Sequence, residues 1–168
     1  MVEKNNKRLV IYYSLEGNTK LIAKVMAEEI GADLLQLNPK KEIKSKSFSK
    51  YFWGGSQVLM KKQPELMPFE VDPMDYDFII IGTPVWAWTY APPISTLLSK
   101  VDFSGKTVGL FSCNGGQNGK TFINMKKHLK NSHIVSHIEF IEPLTKDKKV
   151  AIERAQQWIR EMVSKTKI

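Results

Sequence analysis

The stretch SLEGNT, residues 14–19, lies between an apolar run at residues 9–13 and a helical pattern that begins near Thr19. An apolar strand, a glycine turn at Gly17 and a helix N-terminus in succession direct several backbone N–H groups toward one point, where the helix dipole adds partial positive charge. The pattern therefore predicts an anion site. No lysine follows Gly17 at the Walker spacing, which argues against a nucleoside triphosphate. Taken alone, the same pattern also fits an ordinary α/β unit.

Composition indicates a single domain over residues 1–168. The chain has 168 residues, of which 42% are hydrophobic, and this is enough to bury a core without disulfides or metals. No apolar run reaches the length that spans a bilayer, and a polar N-terminus leads directly into a strand, so we expect a cytoplasmic protein with no membrane span. One cysteine, Cys113, and three histidines outside any ligand motif predict neither a disulfide nor a metal site.

The net charge leaves several kinds of partner to consider. It is +8, which fits nucleic acid, an anionic membrane or an acidic protein. Residues 40–62 combine lysines with the aromatic residues Tyr51, Phe52 and Trp53, and a helix is predicted around residues 56–62. A solvated surface crossover is one interpretation of this segment, and a lid or partner contact is the other.

Strands alternate with amphipathic helices along the rest of the chain. Apolar runs predict strands at residues 9–13, 32–37, 78–81, 107–112 and 133–141, and helices are predicted to begin near Thr19, at Pro92, near Phe122 and near Ala151, with Leu129 in the third helix. This alternation predicts a doubly wound, five-stranded parallel sheet in a three-layer α/β/α arrangement. Such sheets bind ligands at the carboxyl ends of their strands, where the winding reverses.

Three unusual loops follow three of these strands. SLEGNT follows the first strand, the uncharged aromatic loop TPVWAWTYAPP follows the third, and CNGGQNG follows the fourth. A phosphate cradle, an aromatic wall and a glycine-rich rim at one edge of a sheet suit a flat ring with a phosphate tail. FMN is such a ligand.

In their context the loops read YSLEGNT, YDFIIIGTPVW and CNGGQNG, and they resemble the FMN-binding loops of flavodoxins, most of all short-chain bacterial flavodoxin-like proteins. The resemblance covers nearly the whole chain. It implies the flavodoxin strand order 2-1-3-4-5 and electron transfer through FMN, by a carrier or by a small FMN-dependent oxidoreductase. It also implies three groups of FMN-binding residues: Ser14, Leu15, Glu16, Gly17, Asn18 and Thr19 around the phosphate; Thr83, Pro84, Val85, Trp86, Ala87 and Trp88 along one ring face; and Cys113, Asn114, Gly115, Gly116, Gln117 and Gly119 at the pyrimidine edge.

Within these groups Trp86 is the first candidate for stacking on the ring and Trp88 the second, although either side chain could belong to the core. Cys113 is expected to contribute backbone rather than a thiolate. Glu16 stands where the family often has threonine, and we expect its side chain to turn away from a phosphate. Ala87 and Trp88 replace the glycine that commonly lets a peptide bond turn toward the flavin, so weak stabilisation of one-electron-reduced flavin is predicted.

The resemblance leaves the partners open. We expect a redox partner protein, with an acidic one matching the positive charge, or a small donor or acceptor such as reduced nicotinamide or quinone, and a monomer or homodimer. Nucleic acid is not expected. The alternative function is a flavodoxin-fold binding or regulatory module that uses its basic surface on an acidic partner, nucleic acid or membrane.

Overall fold

The computed structural model describes residues 7–42 and 63–166. In chain order its elements are β1 (Arg8–Tyr12), α1 (Asn18–Ile30), β2 (Asp33–Gln36), a short 3-10 helix (Pro73–Asp75), β3 (Phe78–Trp86), β4 (Thr89–Tyr90), α2 (Pro92–Lys100), β5 (Thr107–Asn114), α3 (Thr121–Lys126), β6 (His133–Ile141) and α4 (Lys148–Thr166). The lysine-rich part of residues 40–62 that includes Tyr51, Phe52 and Trp53, and the helix predicted at residues 56–62, lie outside the described residues.

The sheet has the predicted winding. Its order is β2-β1-β3-β5-β6, with β4 paired only to β3. All four pairs along this order are parallel, and β4 is antiparallel to β3. If the short hairpin strand β4 is set aside, this is the order 2-1-3-4-5, and the prediction is confirmed.

Two apolar cores cover the two faces of the sheet, because successive side chains of a strand point to opposite faces. On one face Leu9 and Ile79 pack with α2 and α3, through residues such as Leu97. On the other face Val10 and Ile80 pack with α1 and α4. The central strands are therefore buried on both sides, which explains their unbroken apolar runs.

Helix ends follow local signals. Gly31 ends α1 in the left-handed conformation, with φ 60, and its N–H bonds to the Ala27 carbonyl. Pro92 begins α2, where a missing N–H has no cost. Helix α3 ends at Lys126, so Leu129 lies beyond the helix in which the sequence pattern placed it. Among the helices of residues 7–42 and 63–166, none is both long and apolar enough to cross a lipid bilayer.

Two strands are longer than their apolar runs. β3 does not end at Gly82 but continues to Trp86, because Val85 and Trp86 pair with Tyr90 and Thr89 in a hairpin. β5 continues past Ser112 to Asn114, since this end pairs with β6. The predicted aromatic loop is thus largely a β-hairpin, and two residues of the predicted third loop are in a strand. The single domain over residues 1–168 stays a prediction.

Candidate functional site

The carboxyl ends of β1, β3 and β5 border a cavity of about 230 Å³. Parallel pairing of Pro84 with Cys113 places the second predicted loop beside the third. Eleven of the predicted site residues line the cavity together with Glu142: Ser14, Leu15, Glu16, Asn18, Thr19, Pro84, Val85, Trp86, Cys113, Asn114 and Gly115. The other predicted residues do not line it: Gly17, Thr83, Ala87, Trp88, Gly116, Gln117 and Gly119.

The first loop is built as an anion cradle. Gly17 has φ 97, a left-handed conformation that glycine adopts without strain, and its N–H donates to Ser14 Oγ at 3.1 Å. The first backbone bond of α1 runs from the Leu21 N–H to the Gly17 carbonyl at 2.9 Å. The N–H groups of Asn18, Thr19 and Lys20 therefore have no acceptor within the helix and are available to an anion.

Thr19 supplies a further donor. It is 1% exposed, and its Oγ1 is the one buried side-chain oxygen or nitrogen without a hydrogen bond in the part of the chain that the structure describes. A buried hydroxyl without a partner costs roughly 1 to 3 kcal/mol. Because Thr19 also lines the cavity, its hydroxyl can donate to an oxygen atom of a molecule bound there.

Cys113 forms part of the wall next to Thr19. Burial raises the pKa of the Cys113 thiol to about 12, and the nearby Thr19 hydroxyl opposes this only in part. A thiol is a weak hydrogen-bond partner, and the pair does not reach hydrogen-bond geometry, so Thr19 Oγ1 stays unsatisfied. Cys113 is thus protonated at neutral pH and is no nucleophile. That it contributes its backbone to the site stays a prediction.

A turn after β6 covers the cradle, and sequence reasoning missed it. The Leu144 N–H donates to Asn18 Oδ1 at 3.0 Å, and Leu144 Cδ1 lies 3.3 Å from where a Cβ on Gly17 would be. Glu142 has φ 40 and forms an ion pair of 2.6 Å with Lys146. The Asn18 side chain therefore holds this turn, and Glu142 places a carboxylate at the cavity wall. Glu16 is exposed and also lines the cavity, so the expectation that its side chain turns away from a phosphate stays a prediction.

The two tryptophans of the hairpin have different surroundings. Trp86 is 4% exposed and packs edge-on against Tyr13, with ring centroids 5.7 Å apart. It lines the cavity but also belongs to the core. Trp88 is 60% exposed and lies at the hairpin tip.

Thr83 is fully buried, where its Oγ1 accepts from the Ala91 N–H at 3.0 Å and donates to the Pro84 carbonyl at 2.8 Å. Thr83 thus braces the base of the hairpin.

The hairpin tip rests on the third loop. Ala87 and Trp88, the two turn residues, have φ 48 and φ 63, which is the pattern of a type I′ turn and is normally met by Asn-Gly. The Lys120 N–H donates to the Trp88 carbonyl at 2.8 Å, and Asn124 Nδ2 donates to Thr89 Oγ1 at 3.0 Å. A Cβ on Gly119 would lie 2.4 Å from the Trp88 Cβ, so only glycine permits this contact.

Hydrogen bonds also organise the glycine-rich loop. Asn114 Oδ1 accepts from the Gly116 N–H at 2.8 Å, while its Nδ2 donates to Glu139 Oε2 at 2.8 Å. Ser112 Oγ donates to Asn118 Oδ1 at 2.5 Å. Gly115, Gly116, Gln117 and Gly119 are exposed. Within residues 7–42 and 63–166 there is no group of three His, Cys, Asp or Glu side chains that could hold a metal ion.

A doubly wound sheet with an anion cradle, an aromatic hairpin and a glycine-rich loop at its carboxyl edge defines an α/β protein that binds its ligand where the winding reverses. A family model described as Flavodoxin matches residues 7–162. The chain belongs to the flavodoxin family.

Solved structures agree with this assignment. A candidate flavoprotein from Bacteroides uniformis ATCC 8492 is 25% identical with a TM-score of 0.79, and the match covers 94% of this chain and 99% of that one. A flavoprotein from Lactobacillus acidophilus NCFM, solved in complex with FMN, is 26% identical with a TM-score of 0.67, over 85% and 97% of the two chains. Flavodoxin 2 from Bacillus cereus shares the fold at 18% identity and a TM-score of 0.56, over 95% and 99%. No curated protein matches the sequence.

Proposed function

We propose that the protein binds FMN at this cavity and transfers electrons through it. The observation that carries the proposal is the buried Thr19 hydroxyl without a partner, at a helix N-terminus whose first N–H groups have no acceptor. A phosphate monoester supplies several oxygens to such donors, and the helix dipole favours its negative charge. The related Lactobacillus acidophilus flavoprotein, whose structure contains FMN, supports the choice of ligand.

The cavity is too small to enclose the whole cofactor. Its volume of about 230 Å³ is smaller than the roughly 300 to 1,000 Å³ of pockets that enclose a whole ligand. We infer that the phosphate end is enclosed by residues 14–19. The ring would lie toward the more open side, between the hairpin and the glycine-rich loop, with Trp86 or Trp88 against it.

The residues have distinct tasks in this proposal. Thr19 and the N–H groups at the start of α1 bind the phosphate, Asn114 fixes the third loop, and Trp86 fills the wall and excludes water. FMN, when bound, supplies the ability to accept and release electrons, and the protein sets access to it. We also propose that the protein acts either as an electron carrier or as a small oxidoreductase with a nicotinamide or quinone partner. Its proposed location is the cytoplasm.

The alternative of a binding module for nucleic acid or membrane has no support among the similar proteins, which are flavoproteins and flavodoxins. The purified protein is expected to be yellow and to release FMN on denaturation. Mass spectrometry of the released cofactor identifies it, and release of FAD, or a colourless protein that ignores added FMN, would contradict the proposal.

Thr19→Val tests the phosphate assignment, because valine keeps the volume and removes the hydroxyl. The FMN dissociation constant should rise about tenfold to a hundredfold, the value of a charge-assisted hydrogen bond, while that of riboflavin changes little. Without ligand, the variant should be about 1 kcal/mol more stable, since the unsatisfied hydroxyl is gone. Both affinities are measured by fluorescence titration, and stability by urea unfolding.

Thr96→Val is the matched control. Thr96 is 2% exposed, and its Oγ1 donates to the Pro64 carbonyl at 2.8 Å, away from the cavity. This variant should lose stability and keep both affinities. Equal losses of FMN and riboflavin binding in Thr19→Val would show that residue 19 does not address the phosphate.

A further inference from the structure

The hairpin, the glycine-rich loop and α3 contain no acidic residue, although Glu142 lines the cavity and Glu139 lines the groove beside α3. Between residues 78 and 138 the sequence has one acid, Asp102, and six lysines: Lys100, Lys106, Lys120, Lys126, Lys127 and Lys130. This span includes the whole hairpin and the whole glycine-rich loop. Lys120, Lys126 and Lys127 lie in or beside α3, next to the hairpin, whereas Lys100 ends α2 at the opposite edge of the sheet and the buried Lys106 Nζ donates to the Met74 and Tyr76 carbonyls. The positive charge beside the hairpin is therefore that of Lys120, Lys126 and Lys127.

Two large apolar side chains are exposed in the same place. Trp88 and Ile123 are each 60% exposed, Trp88 at the hairpin tip and Ile123 on α3. Lys120 and Lys127 flank this helix, and their spacings of three and four residues from Ile123 place all three near the same side of it. We name Trp88, Lys120, Ile123 and Lys127 the tryptophan platform. Exposure of a tryptophan side chain to water is energetically unfavourable, and tryptophan is among the residues most enriched at binding hot spots.

The platform is held rigidly. The Lys120 N–H fixes the Trp88 carbonyl, Asn124 Nδ2 donates to Thr89 Oγ1 at 3.0 Å, and Lys127 Nζ donates to Asn124 Oδ1 at 3.2 Å. These bonds join the hairpin to the helix. A surface that is ordered before binding loses little entropy when a partner docks on it.

The charges of the platform are free for a partner. The ion pairs of the described residues join Lys40 to Glu65, Lys146 to Glu142 and Arg160 to Glu29, and none uses a lysine of residues 78–138. Beside Ile123 lies a groove of about 600 Å³ lined also by Lys126 and His137. Lys126 Nζ is 3.3 Å from His137 Nδ1 and takes part in none of these ion pairs, although Glu139 also lines the groove. An acidic side chain of a partner protein could form an ion pair with each of these lysines.

We propose that the tryptophan platform docks an acidic redox protein, which exchanges electrons with the FMN of the proposed function. An apolar centre with a charged rim is the anatomy of a protein interface, and lysine charges around it steer an acidic partner to the site. The three arginines of the chain, Arg8, Arg154 and Arg160, all lie outside residues 78–138. Lysine without arginine favours a transient protein contact over phosphate recognition, for which the arginine fork is the better group.

The test measures binding of two redox proteins to the FMN-loaded full chain by calorimetry. A plant-type [2Fe–2S] ferredoxin is the acidic probe and cytochrome c is the basic one. Ferredoxin should bind, cytochrome c should not, and the ferredoxin affinity should fall at least tenfold between about 20 mM and 300 mM salt, as surface charges are screened. Trp88→Ala should weaken binding about tenfold and leave the salt dependence unchanged.

Charge reversal separates the platform from the overall charge. Lys120→Glu with Lys127→Glu should weaken ferredoxin binding at least tenfold. Lys100→Glu with Lys165→Glu makes the same change in net charge at the C-terminal ends of α2 and α4, which point to the opposite edge of the sheet, and should change it less than threefold. FMN affinity is measured for every variant and should not change in the two lysine double variants; ferredoxin binding by Trp88→Ala is measured at saturating FMN, because Trp88 is also a candidate contact of the ring.

Other results would contradict either the docking proposal or the proposed function. Equal losses in the two double variants, no ferredoxin binding by a protein that holds FMN, or tighter binding of single-stranded DNA or anionic vesicles through the same lysines would overturn the docking proposal. A chain that binds ferredoxin on the platform but takes up no FMN would sustain the docking surface and overturn the proposed function instead.

Discussion

The phosphate loop and the tryptophan hairpin both need left-handed backbone, and they obtain it in opposite ways. In the phosphate loop the left-handed residue is Gly17, which adopts φ 97 without strain. In the hairpin the left-handed residues are Ala87 and Trp88, and a side chain in this conformation costs roughly 1 to 2 kcal/mol. The loop is thus stable through its own sequence, while the hairpin depends on contacts made elsewhere.

Those contacts come from the third loop. Gly119 lets the Trp88 backbone approach, and the Lys120 N–H bonds to the Trp88 carbonyl. The glycine that a type I′ turn normally carries within itself is found on the opposing surface. A strained turn can persist when its surroundings determine it, and such turns cluster at functional sites.

Gly119→Ala is expected to have the largest effect on this arrangement. A Cβ at residue 119 would lie 2.4 to 2.7 Å from the Cβ, carbonyl oxygen and Cα of Trp88. The left-handed φ of 57 adds its own cost. Together they should lower the free energy of unfolding by about 3 kcal/mol, measured by urea denaturation.

Gly105→Ala separates the two costs. Gly105 has φ 74, but an added Cβ there would meet nothing within 4 Å. Gly105→Ala should therefore lower the free energy of unfolding only by the cost of the left-handed conformation, about 1 kcal/mol. If the two variants lost equal stability, the contact between Gly119 and Trp88 would not be what holds the hairpin.

Gly17→Ala should have an intermediate effect, about 1 to 2 kcal/mol. The cost is mostly conformational, because the nearest atom is Leu144 Cδ1 at 3.3 Å, the end of a flexible side chain. The FMN dissociation constant, measured in parallel, should rise as the cradle distorts. A loss as large as that of Gly119→Ala would mean that the phosphate loop also depends on its surroundings, and the contrast between the two regions would disappear.

Ala87→Gly should have the smallest effect and the opposite sign. Relief of the left-handed strain outweighs the added entropy of the unfolded chain, so stability should rise by about 0.5 kcal/mol. Ala91→Gly is the control, since Ala91 has an ordinary φ of −68 and is fully buried; it should lose about 1 kcal/mol. A destabilised Ala87→Gly would show that the turn holds no strain.

The parts of the fold that the sequence predicts are those with local causes. Gly17 and Gly31 mark the two ends of α1, Pro92 begins α2, and the apolar run at residues 78–81 is the centre of the sheet. Alternation of strands and helices predicts the parallel winding, and the winding brings the three loops to one edge. Most of the cavity wall follows from these facts.

The parts that it does not predict depend on contacts with residues outside the segment concerned. The strand β4 exists because its residues pair with Val85 and Trp86, and no apolar run announces it. Thr83 is polar and follows a strand, so it resembles a ligand contact, yet its hydroxyl is used by the Ala91 N–H. Glu142 and Leu144 reach the phosphate loop from the end of β6, and no motif in their own segment indicates this.

The buried thiol of Cys113 has a consequence for the durability of the protein in air. Peroxides and disulfides react with thiolates, and with its pKa raised to about 12 this sulfur is almost entirely protonated at neutral pH. It is also the only cysteine in the chain. The chain therefore has no thiolate poised to form a covalent dimer or to be oxidised to a sulfenic acid during aerobic work.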